Sequence, residues 1–254
     1  MDTHLRLPQA EQLPFFKYYP PMSRLLTIRT SNSIRTVIDK LIPGFEHKSG
    51  YKIELILDTA RHSLARILAG ERADVVLLLS PAIETLAEKK IVDAHSCQWL
   101  ARSNIGIGVL KGATHPDILT VEAFKNTLLN AHSICHTEHG PSGSYFPTVL
   151  KILDIVDTVR PKCVTRPGGY IGGLVASGEA QLAFQQICEL LAVPGIEVVG
   201  PIPAALQVNY DSKGAVFQNT PHREAGEAFL RYLRLQEHTP LFQQAGFTQL
   251  ENTD

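Results

Sequence analysis

The chain has 254 residues, a formal net charge of -1 at pH 7 and a pI of about 6.8, and 44% of its residues are hydrophobic. The near-zero charge argues against nucleic acid or an anionic membrane surface as a partner. Four widely separated cysteines show no metal-ligand spacing, so we expect reduced thiols and no metal site. This length and composition suit one large domain or two lobes.

The N-terminal segment, residues 1–22, carries charges and prolines but no apolar run of the length that a secretory signal needs. We expect these residues to form a flexible segment that is loosely attached to the folded part. No run in the sequence is long enough to span a membrane. These features predict a cytoplasmic protein, or a periplasmic one if a signal was removed from this chain.

Strand-like and helix-like segments alternate from Arg24 onward. β-branched and apolar stretches predict seven strands, with the sequences RLLTIRT, YKIELIL, ADVVLLLS, NIGIGVL, HSICHT, AQLAFQQ and IEVVG. Amphipathic stretches between and after them predict helices, with the sequences SIRTVIDKLIPGF, HSLARILAG, SPAIETLAEKKIV, TVEAFKNTLLNA, SYFPTVLKILDIV, GGLVASGEA and HREAGEAFLRYLRLQE. Ser80 is the predicted N-cap of the third helix, with Pro81 as its first residue, and Thr120 is the predicted N-cap of the fourth. The alternation predicts an α/β fold with parallel sheets.

Small polar residues cluster at three corners where a predicted strand leads into a helix. The corners hold Ser31 and Ser33; Thr59, Arg61, His62 and Ser63; and Ser142, Gly143, Ser144 and Tyr145. In open α/β sheets, ligands bind outside the carboxyl ends of the strands, where helix N-termini offer unpaired N–H groups. Any one of these serines is explained by helix capping alone. The three corners together predict an anion site.

Two stretches of the chain resemble a known superfamily. The run LTIRTSNSIRTVIDKLIPGFEHKSGYKIEL, followed by LARILAGERADVVLLLS, resembles the start of type II periplasmic-binding proteins of the molybdate-binding kind. The run SGEAQLAFQQICELLAVPGIEVVGPIPAALQ resembles a branch of that superfamily that includes aconitate isomerase and many solute-binding proteins. The resemblance covers nearly the whole chain, from about Leu25 to Phe247.

The resemblance implies two α/β lobes joined by two crossovers, with the ligand held in the cleft between them. The first lobe would contain residues 23–104 and 206–254, and the second would contain residues 105–205. Carried over by position, the ligand contacts fall on Ser31, Ser33, Arg61, His62, Ser63, Ser142, Gly143, Ser144, Gln185 and Gln186. Strand alternation predicts that only one of the two glutamines faces the cleft, and the sequence does not indicate which.

The second corner departs from the molybdate binders, which carry small hydroxyl and alanine residues there. Arg61 and His62 argue against molybdate, because a guanidinium fork matches a planar carboxylate. The expected ligand is therefore a small anionic carboxylate. Arg166 and Tyr170, in the run RPGGY, are further candidates for the wall of the cleft, and packing of Tyr170 on the hinge is an equal alternative.

The resemblance leaves two functions open. An aconitate isomerase would shift a proton along an allylic tricarboxylate without a cofactor, with His62, His139 and Glu138 as candidate proton carriers and His136 as a weaker one. The alternative is a non-catalytic solute-binding protein for a small carboxylate or oxyanion, which would serve an ABC permease. A cytosolic ligand sensor is a third possibility, although no DNA-binding segment supports it.

Overall fold

The computed structural model describes residues 24–250. The expectation for residues 1–22 and the last four residues of the predicted first lobe therefore lie outside the described residues. The described strands, in chain order, are β1 (Leu25–Thr30), β2 (Lys52–Leu57), β3 (Val75–Leu79), β4 (Gln98–Ser103), β5 (Ile105–Leu110), β6 (Ile134–Thr137), β7 (Cys163–Arg166), β8 (Leu182–Gln186), β9 (Ile196–Pro201), β10 (Tyr210–Val216) and β11 (Phe247–Gln249).

Helices connect most of these strands. In chain order they are α1 (Asn32–Ser49), α2 (Ala60–Leu68), α3 (Ser80–Glu88), α4 (Val121–Asn130), α5 (Pro141–Ile152), α6 (Val156–Val159), α7 (Gly173–Ala176), α8 (Ile187–Leu190), α9 (Arg223–Leu233) and α10 (Thr239–Gln244). Each of the seven predicted helices has a counterpart. The α1 helix is longer than predicted, runs through Pro43 and ends at Gly50, whose φ of 73° suits a glycine after a helix.

The strands form two separate sheets. The first has six strands in the order β11-β4-β10-β3-β1-β2, and the second has five in the order β7-β6-β8-β5-β9. This is the predicted α/β fold with two sheets. The predicted lobe bounds are compatible with this strand content and stay a prediction.

The expectation of parallel sheets is only partly right. β1 pairs in parallel with β2 and β3, and β6 pairs in parallel with β7 and β8. In contrast, β10 runs antiparallel to β3 and β4, and β5 runs antiparallel to β8 and β9. Both sheets are therefore mixed, because strands that follow the crossovers enter each sheet in the opposite direction.

Four strands were not predicted, namely β4, β7, β10 and β11. β7 and β11 have only four and three residues. β10 has the polar sequence YDSKGAV, but Lys213 lies 3.8 Å from the ring centre of Trp99 on the neighbouring β4. Such strands depend on tertiary pairing, which a single-segment pattern does not reveal.

Helix starts also differ from the prediction at two places. The α3 helix begins at Ser80 with Leu79 at the N-cap, and the Ser80 hydroxyl donates to Glu84 Oε1 at 3.0 Å. Ser80 therefore bonds a side chain one turn further on and does not cap the helix. The α5 helix begins at Pro141, three residues before the predicted start. The predicted cap at Thr120 is confirmed, since its hydroxyl accepts from Ala123 N at 3.1 Å.

Each sheet carries its own hydrophobic core. On the first sheet, α1 and α9 cover one face, where the rings of Phe45 and Phe229 lie 5.0 Å apart. On the second, Phe146 of α5 packs against Phe184 of β8 with ring centres 4.5 Å apart. The β3 strand is buried on both faces, as predicted, since its alternate residues belong to two different core clusters.

The two segments that connect the sheets lie side by side. The chain leaves the first sheet between β4 and β5, and it returns between β9 and β10. The Gln207 side chain accepts from Ile105 N at 2.8 Å and donates to Ile105 O at 2.9 Å. Asn104 Nδ2 donates to Asn209 Oδ1 at 3.1 Å. These bonds tie the two crossovers together and fix where the sheets meet.

Candidate functional site

A cavity of about 150 Å³ lies between the carboxyl ends of parallel strands from the two sheets. From the first sheet it is lined by Ser31, Asn32, Ser33, Thr59, Ala60, Arg61 and Leu79. From the second it is lined by Thr137, His139, Gly140, Pro141, Pro167, Gly168, Gly169, Gln185, Gln186 and Glu189. This is the position at which open α/β sheets bind ligands.

Three helices begin at this cavity. Their N-caps are Ser31 for α1, Thr59 for α2 and Gly140 for α5. The Thr59 hydroxyl caps its own helix by accepting from His62 N at 3.2 Å, whereas α1 and α5 have no side-chain cap. Unpaired N–H groups and the partial positive charge of each helix therefore point toward the same space. Residues of the first two predicted corners line the cavity, and the third helix reaches it through Gly140 and Pro141. The convergence of the three helix starts gives the cavity the electrostatics of an anion site.

The first corner is placed as predicted. Ser31 and Ser33 both line the cavity, both are buried, and their hydroxyl oxygens lie 3.1 Å apart. Either hydroxyl can donate to the other, so at least one retains a free donor for a ligand. Asn32 lies between them and also lines the cavity.

The second corner is only partly placed at the cavity. Arg61 lines it and forms no ion pair with any residue between 24 and 250, so its guanidinium is available to an anion. The His62 side chain is 70% exposed and lies 3.5 Å from Asp58 Oδ1. Ser63 is fully buried, and its hydroxyl has no hydrogen-bond partner within residues 24–250. Neither His62 nor Ser63 lines the cavity, and their contact with the ligand stays a prediction.

The third corner meets the cavity one turn earlier than predicted. Gly140 and Pro141 line it, while Ser142, Gly143, Ser144 and Tyr145 do not. A Cβ on Gly143 would lie 1.8 Å from the Thr137 carbonyl oxygen, so this glycine lets α5 approach β6. The Tyr145 hydroxyl donates to Leu206 O at 3.2 Å, which holds the ring against the second core.

The two serines of this corner, Ser142 and Ser144, also lie outside the cavity lining. Ser142 is buried in the first turn of α5. The Ser144 hydroxyl faces Glu138 O at 3.5 Å. None of the residues 142–145 lines the cavity, because α5 starts at Pro141 and its first turn packs against β6. Their contact with the ligand stays a prediction.

Thr137 was not predicted, although it ends β6 directly before the opening of α5. Its side chain is buried, with 3% exposure, and its hydroxyl has no hydrogen-bond partner in the part of the chain described. Since Thr137 lines the cavity, a bound ligand can supply that partner. The signal available in the sequence was its position, the last residue of a predicted strand.

Both candidate glutamines line the cavity, which corrects the prediction that only one can face it. Gln185 accepts from Ile171 N at 3.0 Å and donates to Gly169 O at 2.8 Å, so its amide holds the loop before α7. Gln186 is the last residue of β8 and the N-cap of α8. Strand alternation stops at that point, which allows consecutive residues to share a side.

Glu189 on α8 was also missed. Part of its side chain is open to the cavity, and protein surrounds the rest. Burial raises the pKa of Glu189 from 4.5 to about 7, and the Gln185 amide opposes part of this rise. The sequence signal was a single acidic residue in the apolar run ICELLA, directly after a strand.

The other candidate proton carriers divide between the cavity and the surface. His139 lines the cavity. Glu138 does not line it, because its carboxylate accepts from the Thr165 hydroxyl at 2.8 Å and is 44% exposed. His136 faces away, with its ring against Phe146 and its pKa lowered by burial. Of the histidines and the glutamate predicted from the sequence, only His139 is therefore at the cavity.

Arg166 and Tyr170, the two candidates from the run RPGGY, lie in different parts of the structure. Arg166 is exposed and pairs with Glu179 at 3.1 Å, away from the cavity. The Tyr170 hydroxyl donates to Asn32 O at 3.2 Å, which links the loop before α7 to the start of α1. Tyr170 therefore joins the two sides of the cleft, which favours the alternative that it packs where the lobes meet. Its contact with the ligand stays a prediction.

A larger cavity of about 690 Å³ lies beside α4 and β5. Asp117 is the only charged residue in its lining, and the rest of the lining is apolar or neutral. It offers no cation to an anionic ligand. Among residues 24–250, no three His, Cys, Asp or Glu side chains come together as a metal site would require.

Comparison with known proteins places the chain in a family. The family described as bacterial extracellular solute-binding protein matches residues 26–248. An aconitate isomerase from Pseudomonas sp is 34% identical over 227 residues, which cover 87% of this chain and 86% of that protein.

Solved structures show the same fold at low sequence identity. The periplasmic molybdate-binding protein of Azotobacter vinelandii has a TM-score of 0.73 at 16% identity and covers 89% of this chain and 100% of its own. The sulfate-binding protein SubI of Mycobacterium tuberculosis has a TM-score of 0.69 at 17% identity. The match covers 89% of this chain and 87% of that protein.

None of the helices within residues 24–250 is long and apolar enough to cross a membrane. The cytoplasmic location stays a prediction. The matched family, the related isomerase and the shared fold confirm the resemblance to two-lobed periplasmic-binding proteins. The chain belongs to the bacterial extracellular solute-binding protein family and has the type II periplasmic-binding-protein fold.

Proposed function

We propose that this protein interconverts cis- and trans-aconitate, or a close tricarboxylate, by a proton shift that needs no cofactor. Two observations carry the proposal: the chain is 34% identical to an aconitate isomerase, and three helix N-termini and the Arg61 guanidinium meet at its cleft cavity. The cavity volume of about 150 Å³ suits a small organic anion.

The ligand carboxylates have matching partners in the cavity. The N-termini of α1, α2 and α5 each favour a negative charge, by about 0.3–1 kcal/mol at exposed sites and more when partly buried. Arg61 can hold a carboxylate through two parallel N–H···O bonds. The Ser33 and Thr137 hydroxyls supply further donors. Three helix starts and one guanidinium therefore suit a planar tricarboxylate better than a single tetrahedral oxyanion.

The reaction moves one proton and one double bond. Aconitate carries a C=C bond between a CH carbon and the central carbon, and a CH₂ group on the other side. A base removes a proton from the CH₂ group, and the released electron pair forms a new C=C bond to the central carbon. The old C=C bond opens, and its CH carbon takes up the proton. Atoms and electrons balance without an oxidant or reductant.

Negative charge spreads onto the ligand carboxylates between the two proton transfers. Groups that hold those carboxylates bind the charged intermediate more strongly than the ground state, which lowers the barrier. Arg61 and the three helix N-termini line the cavity and are the groups that we propose for this stabilisation. The same residues thus serve binding and catalysis.

The alternative function is a solute-binding protein that delivers a small carboxylate or oxyanion to an ABC permease. The contact between Tyr170 and Asn32 favours it, because a bond between the two walls is what a receptor that closes on its ligand needs. The two functions share the fold and the cavity, and they differ in whether the bound molecule changes.

Two measurements on the purified chain separate these functions. Proton NMR of cis-aconitate with catalytic amounts of protein should show the trans isomer appear, and heat-inactivated protein should show only the background rate. Calorimetry with cis-aconitate, citrate, molybdate and sulfate should show that the tricarboxylates bind most tightly. Binding of aconitate without isomer formation would contradict the isomerase and favour a carboxylate receptor. Tight binding of molybdate alone would also contradict the isomerase and would favour an oxyanion receptor.

A further inference from the structure

We infer that the Glu189 carboxyl removes the proton from the bound tricarboxylate and returns it, an inference that rests on the proposed function. Glu189 is the only carboxyl in the described lining of the cavity. It lies on α8, which starts directly after Gln186 ends β8 and packs against α1 of the first sheet. The carboxyl is therefore held on a rigid turn where the two sheets meet.

A carboxyl group is unfavourable in a cavity that only binds an anion. The other polar lining groups, from Ser31 to Gln186, can donate hydrogen bonds or carry positive charge. An ionised Glu189 would repel the ligand, and no cation between residues 24 and 250 forms an ion pair with it. Proton transfer to and from the ligand gives this carboxyl a role that fits its position.

The groups around Glu189 do not compete with its carboxyl for the proton. The Gln185 amide is next to the carboxyl. Three titratable groups interact electrostatically with Glu189, namely Tyr170, Cys188 and Tyr210. Burial raises the pKa of each of them. All three are therefore neutral near pH 7. Arg61 and His139 are the remaining charged or titratable groups in the cavity lining, and neither contributes to the pKa of Glu189.

This environment prepares Glu189 for both halves of the reaction. With a pKa of about 7, the carboxyl is present in ionised and protonated forms near neutral pH. A general base or acid works best when its pKa lies near the operating pH. The ionised form can take the CH₂ proton, and the resulting neutral acid can deliver it to the other carbon. During the step the negative charge moves from Glu189 to the ligand, where Arg61 and the helix N-termini stabilise it.

His139 is the competing proton carrier from the sequence, and its surroundings are less suitable. It lines the cavity, but its side chain is 59% exposed and lies 3.9 Å from Glu138. Water therefore competes for any proton that it holds. A buried carboxyl can keep the proton between the two transfers, which a 1,3 shift requires.

The test compares the full-length wild-type protein with E189Q, E189D and the control E88Q. Glutamine keeps the size of the side chain and cannot take a proton, while aspartate keeps the carboxyl with a shorter reach. Glu88 is exposed at the end of α3, outside the cavity lining, so E88Q changes one charge far from the ligand. For each protein, isomerisation is followed by NMR between pH 5.5 and 9, aconitate binding by calorimetry and folding by circular dichroism.

We expect E189Q to bind aconitate at least as tightly as wild type, because the repelling charge is removed, and to lose about 10²–10⁴-fold in turnover. In wild type, kcat/KM should rise with pH through about 7 as Glu189 ionises, and E189Q should lack this rise. E189D should recover part of the turnover together with the rise, and E88Q should match wild type.

Other outcomes overturn the inference in different ways. If wild type isomerises aconitate and folded E189Q retains more than a third of the turnover, the proposed function stands and Glu189 is not the proton carrier. If wild type binds aconitate without isomerising it, the proposed function fails and the assignment of Glu189 fails with it. If E189Q does not fold, E189D decides: a rate close to wild type with no pH-dependent rise contradicts the inference.

Discussion

The two walls of the cleft differ in how they meet the ligand. The first-sheet wall offers the N-termini of α1 and α2 and Arg61, which forms no ion pair within residues 24–250. The second-sheet wall offers the N-terminus of α5, Thr137 and Glu189. Its threonine hydroxyl is buried without a partner in the described part of the chain, and its glutamate has a raised pKa. The difference indicates that both walls hold the anion and that only the second carries the carboxyl that acts on it.

The largest expected effect concerns the stability of the second wall. The pKa of Glu189 is about 7 in the folded protein and about 4.5 when the group is solvated. Its contribution to stability is therefore fully present below about pH 4.5 and is lost as the pH rises through 7. At about 1.4 kcal/mol per pKa unit, wild type should lose on the order of 3 kcal/mol relative to E189Q.

Thermal unfolding of both proteins at pH 5 and pH 8 measures this loss. The midpoint of E189Q should exceed that of wild type by more at pH 8 than at pH 5, while E88Q shows no such trend. A constant difference between wild type and E189Q would mean that Glu189 is well solvated, which would remove the basis for the division between the walls.

Substitution of Arg61 tests the first wall. R61A removes a charge-assisted bond of about 1.5–3 kcal/mol, so the Kd for aconitate should rise roughly 10- to 100-fold. Turnover should fall as well, because the guanidinium also stabilises the charged intermediate. R61K should lie between wild type and R61A, since lysine keeps the charge and loses the planar fork.

Arg66 provides a matched control one turn along α2. It is 59% exposed and pairs with Asp58 and Glu71 on the surface. Calorimetry on R66A should give a Kd close to wild type. Equal losses of affinity in R61A and R66A would indicate a general effect of charge, and the assignment of Arg61 to the ligand would then be wrong.

Substitution of Thr137 separates ligand binding from folding. In T137V, the free energy of unfolding should not fall, because the threonine hydroxyl has no partner within the described chain. The Kd for aconitate should rise about 3- to 10-fold through the loss of one donor. Thr36 on α1 has a hydroxyl that is likewise unpartnered but lies outside the cavity lining. T36V should therefore leave the Kd unchanged, and a similar rise in both variants would contradict the role of Thr137.

The smallest effect is expected for the bond between the walls. Y170F removes the hydrogen bond to Asn32 O, which is worth about 0.5–1.5 kcal/mol, so binding should weaken only a few-fold. Y145F removes a hydroxyl bond of the same 3.2 Å length that lies within the second sheet's core. Y145F should reduce the unfolding midpoint and leave the Kd unchanged. A loss of affinity in Y145F alone would restore the sequence prediction that Tyr145 contacts the ligand.

The two walls also differ in how far the sequence predicts them. Helix starts have local signals, and three candidates from such positions, Ser31, Ser33 and Arg61, line the cavity. His62 and Ser63 follow Arg61 directly, but neither lines the cavity. Spacing along the chain locates a corner, and it does not determine which side chains turn inward.

The second wall depends on tertiary contacts that local patterns do not contain. The sequence makes Gly143 a candidate ligand contact, whereas in the structure this glycine lets α5 approach Thr137. Glu189 lies in an apolar run, and its importance follows only from the burial that the assembled sheets create. For the same reason β10 was missed, since its polar residues become a strand only between β3 and β4.

The most direct test of the division between the walls is a side-by-side measurement of Kd and kcat for R61A and E189Q at pH 8 with cis-aconitate. We predict that R61A raises Kd by 10- to 100-fold and also lowers kcat, whereas E189Q binds at least as tightly as wild type and lowers kcat by about 10²–10⁴-fold. If E189Q instead loses affinity as R61A does and keeps its kcat, both walls only bind the anion, and the account is contradicted.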